Sequence, residues 1–216
     1  MGFAQIAFGS FFYLPNIKCN PRNLVAELLP TIKVAMLTDY QKLINVKFFL
    51  VFIPVAYFTF MFHEFGHWIV GEIFENRMVY NLHRVWPKDG HYLQQSHELY
   101  VSIGGPAFTV LQAVIALLII EKFRTPIAYP FAFFAMFFRF FTLLLSGFSK
   151  QDEARIAVLL GTWTYLIAII VLAILLLIVI RCSHKLGIMM KINGYLVAVS
   201  AVCHLLVVGT HKFLRL

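Results

Sequence analysis

Residues 61–70 read MFHEFGHWIV, and within them His63, Glu64 and His67 are spaced as HExxH. On an α-helix, residues four apart stack on one face about 6 Å from each other. The two imidazoles can therefore close on a single Zn²⁺, while Glu64 stands beside them to handle a proton. Metallopeptidases use this chemistry: the cation acidifies a water and polarises a scissile carbonyl, and the carboxylate takes the proton. Two histidines do not complete such a site, which needs a third protein ligand and leaves the fourth position open.

The setting of the motif sets its meaning. Phe48 to Phe62 are fifteen residues without a charge, so the helix enters a bilayer before it reaches its histidines. Ionisable groups at membrane depth are costly and mark function by default. Composition agrees: of 216 residues 61 % are hydrophobic and 13 % charged, against about 25 % charged in soluble domains, and mean hydropathy is +0.81. The net charge of +8 comes from Lys and Arg spread through the loops beside apolar segments. That pattern fits membrane flanks rather than a nucleic-acid partner. Cys19, Cys182 and Cys203 lack CxxC spacing and form no disulfide framework. The N-terminal MGFAQIAFGSFFYLP has no positive region before its apolar run, so it is not a secretory signal. It also fails the myristoylation pattern at Ile6.

Five spans are expected, at roughly 48–71, 99–120, 126–148, 156–180 and 192–210, in an all-α polytopic bundle. Pro54 should kink the first, because it has no N–H for the carbonyl four residues earlier. Residues 72–98 form a polar excursion in which Pro87-Lys88-Asp89-Gly90 reads as a turn. Its flanks, MVYNLHRVW and HYLQQ, read as short strands or a re-entrant element. Residues 1–47 hold no run long enough to span; Leu24 to Leu43 reads as a basic amphipathic helix on the membrane surface or as a cap on the bundle. The division is a peripheral region, 1–47, and a membrane domain, 48–216.

Aspartate is scarce, at Asp39, Asp89 and Asp152. Asp152 lies in SGFSKQDEARIAVLLG, between the third and fourth spans. Two crossings separate it from the end of the first span, which returns it to the side where His67 lies. Glu153 is the rival ligand. Glu98, at a helix start, suits the helix dipole more than a metal, and Glu72 lies about 180° around the helix from His63. Arg139 interrupts AFFAMFFRFFTLLL in mid-span. It reads as a snorkelling or ion-paired arginine, with steadying of an oxyanion as the alternative. His204 reads as a hydrogen-bonded bundle histidine, and His83, His91, His184 and His211 as loop or end residues.

Taken together, HEFGH at His63 to His67, ELYVSIGGP at Glu98 to Pro106 and Asp152-Glu153-Ala154-Arg155-Ile156 resemble the site-2 protease family of intramembrane zinc metalloproteases. Its pattern is HExxH in one membrane helix, a Gly-Pro motif in the next and an Asp-Gly-Gly-Arg-Ile element. The resemblance covers about residues 48–160. It implies one Zn²⁺ per chain held by His63, His67 and Asp152, with Glu64 as general base. It further implies hydrolysis of peptide bonds in or beside membrane segments of protein substrates, in a multi-pass protein of the cell membrane. Gly104, Gly105 and the polar excursion are candidates for the edge against which an extended substrate pairs. The chain departs from the pattern at Thr109, where an asparagine usually follows the Gly-Pro motif. It departs again around Leu144 and Gly147, where Asn and Pro usually precede the aspartate. It resembles a divergent branch, and the departures leave a second expectation: a metal-binding membrane protein that captures or regulates a partner without proteolysis.

Overall fold

A computed structural model describes residues 46–81, 84–147 and 151–214. The expected amphipathic helix of residues 24–43 lies outside them. The elements are α1 (Val46–Leu50), α2 (Phe52–Ile73), β1 (Met78–Asn81), β2 (Arg84–Pro87) and α3 (Gln95–Phe123). After a short 3₁₀ turn (Pro126–Ala128) come α4 (Tyr129–Ser146), α5 (Asp152–Leu159), α6 (Leu166–Leu186) and α7 (Met190–Leu214).

Five segments are long and apolar enough to cross a membrane: Phe48–Ile73, Gln95–Phe123, Pro126–Leu145, Leu166–Leu186 and Met190–Phe213. The protein is an all-α, multi-pass membrane bundle. Its outer surface fits that solvent, with Leu111, Ile115 and Leu118 of α3 and Ile170, Ile174 and Leu177 of α6 exposed. The first span is interrupted at Val51, three residues before Pro54, whose missing N–H leaves the Leu50 carbonyl without its helical donor.

The fourth span corrects the expected 156–180. The apolar run Ile156–Leu159 belongs to the short helix α5, not to the membrane helix. Gly161 takes a φ of +63°, a backbone conformation suited to glycine. The chain turns there and resumes as a helix at Leu166.

Helix α3 runs through the centre and packs on α2, α4, α5 and α6. Small residues let α2 and α3 approach, the usual device where no water drives helices together. A Cβ on Gly66 would collide with the Gly104 carbonyl oxygen and lie 2.8 Å from the Gly104 carbonyl carbon. Gly104 is thus spent on helix contact. The core is aromatic, with Phe52 and Phe60 of α2 buried against Phe133, Phe137 and Phe138 of α4.

The polar excursion forms a two-stranded antiparallel hairpin, with Met78 opposite Pro87 and Asn81 opposite Arg84. Both strands fall on MVYNLHRVW, the second running one residue past it to Pro87, whereas HYLQQ leads into α3. Pro87–Gly90 is a turn closed by the Gly90 N–H on the Pro87 carbonyl, 3.0 Å. Three contacts fix the hairpin over α2. The Tyr80 hydroxyl donates to the Met61 carbonyl (3.0 Å), and the Met78 N–H donates to Glu72 (2.9 Å). Buried Asn76 donates to the Phe74 carbonyl and accepts from the Leu93 N–H.

Candidate metal centre

Along α3, Val101, Gly105 and Thr109 are four residues apart and form one stripe facing the imidazoles of α2. His67 Nδ1 lies 2.6 Å from the Val101 carbonyl. A carbonyl only accepts, so Nδ1 carries the proton. His63 Nδ1 lies 2.9 Å from the Thr109 hydroxyl, whose own proton goes to the Gly105 carbonyl at 3.1 Å. Thr109 therefore accepts, and His63 Nδ1 also carries its proton. In both rings Nε2 keeps its lone pair, and partners of this kind fix the orientation of ligating histidines. Gly105 allows the approach: a Cβ there would run into His67 Nε2 and lie 2.6 Å from His63 Cε1.

The short helix α5 brings the third group. Asp152 Oδ2 lies 3.2 Å from His63 Nε2 and 3.5 Å from His67 Nε2, and the two Nε2 atoms are 3.3 Å apart. A cation held tetrahedrally at about 2.0–2.1 Å spaces its ligands about 3.3–3.4 Å apart. The donor triangle thus has the size such an ion requires, and these three residues could hold a metal ion. Burial alone would raise the Asp152 carboxyl, but when the facing imidazoles carry a proton, His67 foremost, their charge and hydrogen bonds hold it well below its ordinary range.

The neighbouring acid is otherwise engaged. Glu153 is buried and grips Arg139 of α4 through two hydrogen bonds, Nε to Oε1 at 2.9 Å and Nη2 to Oε2. That contact matches the expectation of an ion-paired arginine and turns Glu153 away from the triangle. Arg139 also reaches toward the site, with Nη1 3.5 Å from His63 Nε2 and Nη2 3.6 Å from Asp152 Oδ2.

Two chambers meet at this point. One, of about 310 Å³, lies among the helices and is lined by Phe60, His63, Phe138, Arg139, His204 and Val208. The other, of about 360 Å³, lies beneath the hairpin and is lined by His67, Arg84, Trp86, Tyr92 and Arg155. Glu64 and Asp152 line both.

The remaining sequence candidates fall elsewhere. Glu98 occupies the first turn of α3, beside a His97 buried against Asn76 (3.1 Å), and His204 packs among Phe60, Phe138 and Phe141. Sequence reasoning passed over Asn76 and Arg84 and treated Thr109 only as a departure from a pattern. The four-residue spacing of Val101, Gly105 and Thr109 was the available signal. Comparison of the chain with family models, with curated proteins and with solved structures finds no match.

Proposed function

We propose that this protein is a membrane-embedded zinc metallopeptidase that hydrolyses peptide bonds in or beside membrane segments of other proteins, and that it is a divergent relative of the site-2 proteases. The observation that carries the reading is the donor triangle of His63, His67 and Asp152, with Glu64 beside it at the junction of two chambers. Two imidazoles and one carboxylate with a fourth position open make up a zinc hydrolase donor set. When bound, the ion supplies Lewis acidity, making a water more acidic and a carbonyl more electrophilic.

The chain's own residues do the rest. Thr109 and the Val101 carbonyl hold both rings with Nε2 toward the centre. Glu64 accepts the proton of the attacking water and delivers it to the amine as the C–N bond breaks. Residues Arg84 to Pro87 of β2 border the hairpin chamber, so an extended peptide can lie along the hairpin there, held by main-chain hydrogen bonds. Gly104 and Gly105 face α2 instead and do not take part in that pairing.

The test is Glu64→Gln, nearly isosteric but unable to take a proton. Fold and metal content should persist while turnover of a membrane peptide falls by ~10²–10⁴-fold or more. Full biological effect in this variant would replace the reading with the non-proteolytic one, in which the metal site captures a partner.

A further inference from the structure

We infer that the hairpin-side chamber selects a peptide segment bearing a side-chain carboxylate, so that the substrate is apolar on one side of the reacting bond and acidic on the other. This rests on the peptidase reading above and adds to it a substrate class.

The two chambers differ in chemistry although they share Glu64 and Asp152. The helix-side walls include Phe60, Phe138, Leu145 and Val208, which suit the apolar part of a membrane segment. The hairpin side instead presents Arg84 from β2 and Arg155 from α5, with Trp86 and Tyr92. Neither guanidinium forms an ion pair among the described residues. Elsewhere the buried Arg139 is held by Glu153, and the exposed Arg181 by Glu121.

The chamber's own acids do not answer the two cations. Asp152 is engaged with the two histidines, and Glu64 forms no ion pair among the described residues. Two planar forks on separate elements, facing one cavity without an internal counter-ion, match a carboxylate supplied from outside. Trp86 carries the Arg84 guanidinium over its ring, with the guanidinium carbon 5.9 Å from the centroid. The same forks would accept a lipid phosphate. A peptide carboxylate is favoured because the chamber opens directly onto Glu64 and Asp152, where a reacting chain must pass.

The experiment uses the full chain in an uncharged detergent, which removes anionic headgroups. Three peptides share one apolar segment and differ in a short polar tail carrying two Asp, two Asn or two Lys. Cleavage is followed with the zinc-loaded wild type, and binding is followed separately by fluorescence anisotropy with Glu64→Gln. The Asp peptide should bind and be cleaved roughly five- to ten-fold better than the Asn peptide, with Lys last. Added salt should shrink the difference.

Arg84→Gln and Arg155→Gln should each weaken the preference, and the double variant Arg84→Glu/Arg155→Glu should reverse it in favour of Lys. Both side chains are exposed, so these variants should fold, and thermal melting checks this. Equal binding of the three peptides overturns the inference, as does an unchanged preference in the folded double variant. Cleavage without charge preference defeats the inference and leaves the peptidase standing. Acid-selective binding without cleavage does the opposite. A preference that emerges only when anionic lipid is added assigns the cations to headgroups and also overturns the inference.

Discussion

Gly105→Ala tests the centre at its tightest point. The added methyl carbon would overlap His67 Nε2 and sit 2.6 Å from both His63 Cε1 and His67 Cε1. Non-bonded heavy atoms settle at about 3.5–4.0 Å, so the rings must retreat by about 1 Å. Ligand distances tolerate about 0.2 Å, and the triangle's sides are only 3.2, 3.3 and 3.5 Å. A retreat of that size removes His67 from the ligand set. Metal affinity should then fall by more than the ~10–100-fold typical when a supporting residue beyond the ligands is changed. Overpacking should also cost about 1–3 kcal/mol of stability. Affinity is read by titration against a chelating indicator, and stability by thermal melting in detergent. Gly194→Ala is the control, because a Cβ there meets nothing within 4 Å. A folded Gly105→Ala protein that binds metal as tightly as the wild type would refute the assignment of these rings to a metal site.

Purified protein should carry about one zinc per chain, with chelation abolishing turnover and zinc restoring it; a preparation that stays metal-free in excess zinc contradicts the proposal. Asp152→Ala should lower metal affinity by more than ~100-fold. Glu153→Ala should act first on stability, at about 3–5 kcal/mol, because it leaves the buried Arg139 unpaired; the reverse order in calorimetry and titration would exchange the two roles. Acidification should not neutralise Asp152 in the ordinary carboxylate range. Its carboxyl is held well below that range, so its contribution persists above it and is lost only as pH falls well under it. Metal binding near pH 5 should therefore release no proton from Asp152, so infrared difference spectra should show no protonated-carboxyl band that Asp152→Asn removes. Such a band, lost on metal addition and absent from Asp152→Asn, would contradict the ionised Asp152.

The spans were legible because membrane helices must be long and apolar, and that constraint writes itself into consecutive residues. The exception was informative. Ile156 to Leu159 look like the start of a span, yet they close a short helix that ends at Leu159, and the turn at Gly161 is visible only as a single glycine. HExxH was legible because both imidazoles sit on one helix. Asp152 was reachable by counting crossings, whereas its preference over Glu153 was not. Two adjacent acids on a helix point about 100° apart, and the sequence does not say which one meets Arg139. Thr109 illustrates a further limit. Its departure from a family pattern is plain in the sequence, but its hydrogen bond to His63 depends on the α2–α3 approach that Gly66 and Gly104 permit.

The arrangement of charge explains why an arginine can sit beside a cation site. A guanidinium 3.6 Å from Asp152 Oδ2 would neutralise that carboxylate and compete with any metal for it. Glu153 takes up the Arg139 fork instead, closing a buried pair of zero net charge. Asp152 is thereby left to face the two histidines, where a divalent cation would meet its charge. The pair also ties α5 to α4, so the segment carrying Asp152 cannot drift from the histidines of α2 without breaking a buried ion pair. Arg139 and Glu153 thus position the ligand without touching the metal, and the cost of separating two buried charges becomes the stiffness of the site.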